Sequence, residues 1–411
     1  MSEATHIFVL TTDFKPMTGG VAEYLHQLWN ILARCYPVTV MSTVQCGERT
    51  WEHDYLLERL PSLPQRKLGE RFGDSLVPFR KLQTARYFTQ LRRCARLVVD
   101  RIKKEAASCE AYIGIWDVAA HFWCEELYSA GIAYSLHVHG LDVVLPLYGR
   151  LPEWRRRDFC NAKVIYANSS ATAALVRNKI GDRVNVVVVH PGVGPKPDSS
   201  FSAVTVARLR SELGLRSGPV LLTVSRLVRR KGIDLVLRCI PDLRIKNPNL
   251  NYLVAGVGPE KDRLHKIARE LAIAEHVHFL GQTDDLTKWA LYEMCDLFVM
   301  PNRLLDDTEW EGFGIVFMEA ALSGKPAIGG KNGGVPEAIE DGVTGLLVDP
   351  EDIGALNTAI GSLLDNSELR QTMGARALLR ARTEFDWSVV VRPLSIRIAE
   401  TGGSPGIPAH S

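Results

Sequence analysis

The chain has 411 residues, of which 46% are apolar and 23% are charged, and its formal net charge is +2. This length suggests two or three domains with large apolar cores, and the near-neutral charge argues against a dedicated nucleic-acid-binding protein. The first residues lack the pattern of a signal peptide, and no apolar run has the length of a transmembrane helix. The eight cysteines are scattered without a CxxC pair, so we expect reduced thiols in a cytoplasmic protein.

Short apolar, β-branched runs alternate with segments of helical period along the first half of the chain. The predicted strands are HIFVLTT (6–12), VTVMST (38–43), YIGIW (112–116), IAYSLHVHG (132–140), KVIYANS (163–169) and VNVVVVHPGV (184–193). Continuous apolar strands separated by helices are typical of βαβ units on a parallel sheet that is buried on both faces.

A segment rich in Pro, Gly and Ser at 191–204 interrupts this alternation, as a linker would. The alternation then restarts, with strands predicted at 219–226, 250–258, 276–281, 296–301, 325–330 and 344–350. We therefore predict an α/β protein with two Rossmann-like, doubly wound parallel-sheet domains, residues 1–195 and 196–384. A last helix is predicted at 384–400, followed by a flexible tail at 401–411. Ligands of such sheets bind beyond the carboxyl ends of the strands, so we expect the site in the cleft between the two domains.

The loops after the strands of the first half hold two groups of candidate residues. Gly19 and Gly20 precede a helix, where backbone N–H groups can approach an anion, although a tight turn would also need glycine. His137 and His139 lie on one face of a strand that ends before Asp142. Structural histidines are the ordinary alternative there, and a zinc pair would need a further ligand that the sequence does not offer.

The segment 71–104 is strongly basic, with ten Lys and Arg residues against two Asp and with aromatic residues interleaved. Such a segment can lie on an anionic membrane surface or receive an anionic acceptor. A solvated pair of helices is the alternative interpretation.

The first loops of the second half combine cations with glycines. Arg226 ends a predicted strand and Lys231 begins the next helical region, and two fixed cations in one loop suit a diphosphate. Their neighbours Arg229 and Arg230 are interpreted as solvated surface. After the next strand come Gly256 and Gly258, which are compatible with a donor-binding loop or with an ordinary tight turn.

Two glutamates frame the segment EGFGIVFMEAALSGKP. Glu311 precedes a helix predicted at IVFMEAAL (315–322), and Glu319 lies within it. The amides that open this helix would face an anion, whereas two carboxylates suit the hydroxyls of a sugar or ribose. Pairing of Glu319 with a buried Lys or Arg is the alternative.

In their order and spacing, these motifs resemble the retaining glycosyltransferases of family 4, which have the GT-B fold. The resemblance covers nearly the whole chain, although HPGVG stands where the family often has PNGVD. Glu311 and Glu319 match the E-x7-E pair of that family. The segments that carry the resemblance are GGVAEYLHQLW, HVHGLD, SRLVRRKGIDLVL, VAGVGPEKDRL and EGFGIVFMEAALSGKPAIGGKNGGVPEAIEDGVTGLLVDP.

The resemblance implies a C-terminal domain that binds a nucleotide-sugar donor, with a last helix, 385–400, that returns to the first domain. Glu319 would bind the ribose hydroxyls and Glu311 the hydroxyls of the donor sugar. Arg226 and Lys231 would stabilise the diphosphate leaving group, and His139 would lie near the donor sugar. The other predicted donor-binding residues are Gly20, Gly256, Gly258, Phe313, Gly314 and Ile315.

The predicted reaction is transfer of a hexose to a hydroxyl of a glycan or lipid-linked acceptor in the synthesis of a cell-envelope polysaccharide or glycolipid. The loop NRLLDDTEW resembles that of mannosyl-transferring bacterial enzymes, so GDP-mannose is a candidate donor beside the UDP-sugars. The resemblance implies retention of configuration, no cofactor and no essential metal. We expect a cytoplasmic protein with peripheral membrane contact through 71–104 and no nucleic-acid partner. Two alternatives stay open: a non-hydrolysing nucleotide-sugar epimerase on the same fold, and a non-catalytic nucleotide-sugar-binding protein.

Overall fold

The computed structural model describes residues 5–17, 19–44, 53–60, 78–105, 109–144, 151–194, 196, 202–215, 217–305 and 310–400. The chain divides into two compact units, Met1–Gly192 together with Trp387–Ser411, and Val193–Asp386. The first unit thus ends at Gly192 rather than at residue 195, and the chain returns to it from Trp387 rather than from residue 385. The predicted tail, 401–411, lies outside the described residues.

A seven-stranded parallel sheet organises the first unit, in the order β3-β2-β1-β4-β5-β6-β7. Five of its strands are buried at every residue or at every residue after the first, which explains the continuous apolar runs of the sequence. The strands are β1 (His6–Thr11), β2 (Val38–Ser42), β3 (Leu56–Arg59), β4 (Cys109–Ile113), β5 (Tyr134–Val138), β6 (Ile165–Ala167) and β7 (Val186–Val188).

Two strands of this sheet differ from the prediction. The strand predicted at 112–116 lies earlier, as β4, because the chain turns at Gly114, where a Cβ would meet the side chains of Thr11 and Leu25 within 3 Å. The edge strand β3, with the sequence LLER, was not predicted, since it is short, partly exposed and lacks a β-branched residue.

The helices of the first unit connect these strands. Asp117 caps the N-terminus of α3 by accepting a hydrogen bond from the backbone N–H of Ala120. The helices are α1 (Gly20–Leu32), α2 (Pro78–Glu105), α3 (Val118–Ser129), α4 (Leu141–Val144), α5 (Leu151–Asn161) and α6 (Ser170–Ile180).

The second unit is built on a six-stranded parallel sheet in the order β10-β9-β8-β11-β12-β13. The strand order reverses between β8 and β11, so the loops that follow these two strands open a crevice at the carboxyl edge of the sheet, where doubly wound folds bind ligands. The strands are β8 (Val220–Val224), β9 (Asn251–Ala255), β10 (Val277–Gly281), β11 (Leu297–Met300), β12 (Ala327–Gly330) and β13 (Gly345–Val348).

The helices of the second unit include α11, which has the bounds predicted for IVFMEAAL. They are α7 (Ser202–Glu212), α8 (Ile233–Lys246), α9 (Lys261–Glu270), α10 (Asp285–Met294), α11 (Ile315–Leu322), α12 (Val335–Ala338), α13 (Ile353–Asp365) and α14 (Ser367–Thr383).

The chain then returns to the first unit through two short helices, α15 (Trp387–Val390) and α16 (Arg392–Glu400). The prediction of one continuous helix was wrong here. Pro393 has no N–H to donate and is tolerated only in a first helical turn, so a new helix begins beside it. No helix in the described part of the chain combines the length and the apolarity needed to cross a membrane.

Candidate active site

The candidate site of the second unit begins in the loop after β8. Arg229–Lys231 form a single 3-10 turn, which Gly232 ends in the left-handed conformation with φ 70°. A Cβ at Gly232 would meet the carbonyl oxygen of Pro301 at 2.2 Å. Glycine at this position therefore lets the turn pack directly against the loop after β11.

A buried carboxylate lies at the junction of these two loops. Glu311 is 9% exposed, and its Oε2 accepts hydrogen bonds from Arg230 Nη1 at 2.7 Å, Lys231 Nζ at 2.6 Å and Asn302 Nδ2 at 2.9 Å. Among the described residues, none donates to the other oxygen, Oε1. The three donors saturate one oxygen and leave its partner available to a ligand hydroxyl. We call Glu311, Arg230, Lys231 and Asn302 the Glu311 cluster.

Burial and charge act against each other in this cluster. Burial would raise the pKa of Glu311, but the charges of Lys231 and Arg230 bring that pKa below its ordinary value. Burial lowers the pKa of Lys231, and the Glu311 carboxylate offsets this only in part. At neutral pH we therefore treat the carboxylate and both cations as charged.

Arg303 fixes the turn from the other side. Its backbone N–H donates to the carbonyl of Arg230 at 2.9 Å, and its Nε donates to the carbonyl of Arg229 at 3.1 Å. Its Nη2 contacts both carboxylate oxygens of Asp234, at 2.9 and 3.1 Å. Arg263 also reaches Asp234, at 3.1 Å. Arg303 thus holds the backbone of the turn that carries Arg230 and Lys231. The sequence analysis did not predict a role for Arg303.

The cations of the loop after β8 differ in their surroundings. Arg226 lies two residues beyond β8, is exposed and pairs with no carboxylate of the described residues. Arg229 is exposed as well, as predicted. The interpretation of Arg230 as solvated surface was wrong, because its side chain turns to Glu311. Neighbouring side chains of a tight turn point in different directions, which a sequence does not reveal.

Gly256 and Gly258 are explained by backbone packing. A Cβ at Gly256 would lie 1.9 Å from the carbonyl oxygen of Ser225, and one at Gly258 would lie 2.2 Å from that of Leu227. The N–H of Leu227 donates to the carbonyl of Val257 at 2.9 Å. The loops after β8 and β9 therefore run side by side. This close packing is enough to explain why both positions are glycine, whether or not the loop also contacts a donor.

The start of α11 lies directly after Glu311. Gly314 precedes the helix with φ 89°, and a Cβ there would meet the ring of Phe317 at 2.6 Å. The amides of Gly314 and Ile315 lie where a helix leaves N–H groups without an intrahelical acceptor, and Phe313 is buried beside them. This opening can supply hydrogen bonds to an anion.

Glu319 is held by a different pair of residues. Lys288 Nζ donates to Oε1 and Tyr292 Oη donates to Oε2, each at 2.8 Å. Burial would lower the pKa of Lys288, but Glu319 and Asp285 raise it above its ordinary value. Burial, followed by the charge of Glu319, raises the pKa of Tyr292 well above its ordinary value. The pairing of Glu319 with a lysine, left open by the sequence, is present.

His139 belongs to the first unit, at the end of β5. Its Nε2–H donates to the carbonyl of Gly114 at 2.9 Å, and its backbone N–H donates to Asp142 Oδ1 at 2.9 Å. A carbonyl can only accept, so in the neutral imidazole the proton is on Nε2 and Nδ1 is an acceptor. In contrast, His137 is fully buried and stacks on Tyr166 at 5.1 Å, so it is a core residue.

Two further predicted features lie in the first unit. Gly20 is exposed and is the first residue of α1. Residues 71–77 of the basic segment lie outside the described residues. The rest of the segment lies on α2, whose arginines are partly neutralised by carboxylates of β3 and α3. The described pairs are Arg92–Glu125 at 2.8 Å, Arg96–Glu126 at 3.0 Å and Arg101–Glu58 at 3.1 Å.

Known proteins resemble this chain in sequence and in fold. Residues 207–380 match the family described as glycosyl transferases group 1. D-inositol 3-phosphate glycosyltransferase of Corynebacterium aurimucosum is 30% identical, over 67% of this chain and 70% of the relative. The GDP-mannose-dependent alpha-(1-6)-phosphatidylinositol monomannoside mannosyltransferase of Mycolicibacterium smegmatis is 29% identical, over 96% of this chain and 97% of the relative.

Solved structures share the fold at low sequence identity. Anabaena HepE in complex with UDP and glucose superposes with a TM-score of 0.75 and 21% identity, over 96% of this chain and all of that one. Sucrose-phosphate synthase of Thermosynechococcus elongatus gives a TM-score of 0.72 and 20% identity, over 96% and 98% of the two chains. The two parallel-sheet units are those of the GT-B fold, and the chain belongs to the group 1 glycosyltransferases.

Proposed function

We propose that the chain transfers a hexose from a nucleotide-sugar to a hydroxyl of a glycan or lipid-linked acceptor. The observation that carries this proposal is the Glu311 cluster. It places a carboxylate with one open oxygen beside two cations and the start of α11. A ligand that combines sugar hydroxyls with a diphosphate matches this arrangement of charges.

In the proposed reaction, the bond between C1 of the sugar and the diphosphate breaks, and its electron pair remains on the diphosphate. The acceptor oxygen forms the new bond to C1. Lys231 and Arg226 stabilise the charge that develops on the leaving group, and they are most effective because they are already in place. Oε1 of Glu311 accepts a hydrogen bond from a hydroxyl of the donor sugar, and Glu319 accepts one from the ribose.

Further donor contacts are proposed for the amides of Phe313, Gly314 and Ile315, and for the loops with Gly20, Gly256 and Gly258. His139 is proposed to contact the donor sugar. Its Nδ1 has no described partner, so it can accept a hydrogen bond from a sugar hydroxyl.

GDP-mannose is the proposed donor. The relative of M. smegmatis, aligned over nearly the whole chain, is named as GDP-mannose-dependent. A UDP-sugar is the competing donor, since HepE was solved with UDP. The name of the same relative supports a phosphatidylinositol-based glycolipid of the cell envelope as the acceptor.

The finer mechanism follows the family 4 resemblance. We infer that the sugar keeps its anomeric configuration through attack on the face that the diphosphate leaves, with the acceptor proton passing to a phosphate oxygen. Glu311 is a poor nucleophile for a two-step route, because two cations hold its charge. The same cations supply positive charge, which supports transfer without a resident metal. Proton NMR of the product anomer and assays in EDTA test these two points.

A cytoplasmic protein with peripheral membrane contact completes the proposal. On α2, Arg86, Arg93 and Lys104 are exposed and pair with no carboxylate of the described residues, unlike the arginines that face β3 and α3. Sedimentation with vesicles of anionic phospholipid, compared with neutral vesicles, tests this contact. Equal sedimentation with both vesicle types would contradict it.

The decisive experiment uses a panel of UDP-, GDP- and ADP-sugars. We expect one of them to raise the melting temperature, and nucleoside diphosphate release to require an acceptor glycolipid. Epimerisation of the sugar without acceptor would favour the epimerase alternative. Binding with no turnover on any acceptor would favour the non-catalytic alternative.

A further inference from the structure

We propose that Arg230 is a third cation of the diphosphate site and contacts the diphosphate of the donor directly, alongside Arg226 and Lys231. This inference rests on the proposed function and extends it to a residue that the sequence motifs did not indicate.

The first argument is the geometry of the guanidinium. Arg230 is 18% exposed at its side chain. Its Nη1 donates to Glu311 Oε2 at 2.7 Å and approaches the carbonyl of Trp310 at 3.4 Å. Its Nε and Nη2 have no partner in the described part of the chain. One nitrogen thus orients a planar fork of five N–H donors, and the other two remain open for bidentate contact with a phosphate.

The second argument is that the base of this side chain is fixed. The carbonyls of Arg229 and Arg230 both accept hydrogen bonds from Arg303, at 3.1 and 2.9 Å, and Asp234 holds Arg303 in turn. An arginine on a fixed turn loses little conformational entropy on binding. Arg229 shares the turn, yet its side chain is exposed and makes no ion pair with the described residues.

The third argument is the balance of charge. Arg226, Arg230 and Lys231 carry three positive charges, and Glu311 removes one, which leaves two. The diphosphate of a nucleotide-sugar is a dianion and gains further negative charge as it departs. Without the charge of Arg230, the same sum would leave one positive charge to face the dianion.

The competing explanation is that Arg230 does nothing but hold Glu311. Titration calorimetry distinguishes this explanation from direct contact, with GDP, UDP or ADP as the probe, whichever the wild type binds most tightly. The matching nucleoside serves as the probe without phosphate. These probes lack the donor sugar, which is the proposed partner of Glu311. Wild type is compared with Arg230→Met, Glu311→Gln, the double variant, and Arg229→Met as the matched control from the same turn.

We expect Arg230→Met to lower the affinity for the nucleoside diphosphate by about ten-fold or more, because hydrogen bonds between charged groups are lost. Nucleoside affinity should be unchanged, Arg229→Met should match wild type, and the loss should persist in the Glu311→Gln background. If Arg230→Met fails to fold, Arg230→Lys keeps the contact with Glu311 but not the fork, and should show the same selective loss.

Equal diphosphate affinity of Arg230→Met and wild type, or a loss that vanishes in the Glu311→Gln background, would overturn the inference and leave the proposed function intact. A wild type that binds none of GDP, UDP and ADP would overturn the proposed function, and this inference with it.

Discussion

Glu311 and Glu319 lie eight positions apart in the sequence, yet the structure holds the two carboxylates in different ways. Glu311 takes three donors on a single oxygen, and two of them are cations. Glu319 takes one donor on each oxygen, a lysine and a tyrosine. Among the described residues, the first carboxylate therefore has one oxygen without a donor, whereas the second accepts a hydrogen bond at each oxygen.

This difference suggests different roles for the two glutamates: Glu311 balances the charge of two cations, and Glu319 presents a carboxylate of fixed orientation. Glu311 is the shared counter-ion of the buried Lys231 and the partly buried Arg230, so it holds both cations in position. The Glu319 carboxylate accepts a hydrogen bond at each oxygen, so its plane is fixed. Its remaining lone pairs can accept from the proposed ribose hydroxyl. Changes at Glu311 should thus affect turnover and stability, and changes at Glu319 should affect donor affinity.

The largest effect is expected for Glu311→Gln, which keeps the shape and removes the charge. Turnover, measured as nucleoside diphosphate release, should fall by about 100-fold or more. The free energy of unfolding should fall by about 3 kcal/mol, because the buried Lys231 and the partly buried Arg230 lose their counter-charge. Glu384→Gln, which breaks an exposed ion pair with Arg380, is the control and should cost under about 1 kcal/mol. Unchanged turnover in Glu311→Gln would refute the assignment.

Lys231→Ala should lower turnover by about ten-fold or more with little change in donor KM. The pH dependence gives a second test. Because burial lowers the pKa of Lys231 below its ordinary 10.5, the wild-type rate should decline on the alkaline side before that pH is reached. In Lys231→Arg, any remaining activity should lack this decline, since a guanidinium stays protonated. The same decline in both proteins would show that another group titrates.

Glu319→Ala should raise the donor KM by about ten-fold and change kcat much less. The variant also leaves Lys288 with Asp285 as its described partner, so we expect a loss of about 1–3 kcal/mol of unfolding free energy. Steady-state kinetics with varied donor provide the measurement. A fall in kcat at constant KM would reverse the contrast between the two glutamates.

The smallest effect is expected for Tyr292→Phe. It removes one neutral donor from Glu319 and keeps Lys288, so KM should rise about two- to three-fold, with a loss of about 1 kcal/mol. Tyr128→Phe, at an exposed tyrosine of α3, is the matched control. A larger effect than that of Glu319→Ala would mean that Tyr292 acts on its own.

Much of the fold was predictable from the sequence, because its information is local. Apolar runs of β-branched residues mark buried parallel strands, and the residues between them have helical period. The segment IVFMEAAL formed α11 with the predicted bounds. The exceptions have local physical causes, such as the edge position of β3 and the effect of Pro393 on the last helix.

The site was predictable only in its chemical outline. Residue types at strand ends indicated Arg226, Lys231, Glu311 and Glu319 as candidates. Their charged partners come from distant segments, so no sequence spacing links Arg230 to Glu311 or Lys288 to Glu319. The choice between Arg229 and Arg230 depends on side-chain direction in one turn.

The packed turn after β9 has a consequence for protein engineering. Gly256 and Gly258 abut carbonyl oxygens of the adjoining loop, whereas Val257 between them is 51% exposed. A library that randomises all three codons would consist almost entirely of misfolded members. Restricting diversity to Val257 would keep both packed glycines and still vary an exposed side chain in a loop proposed to contact the donor, so this single codon is the economical starting point for redesign.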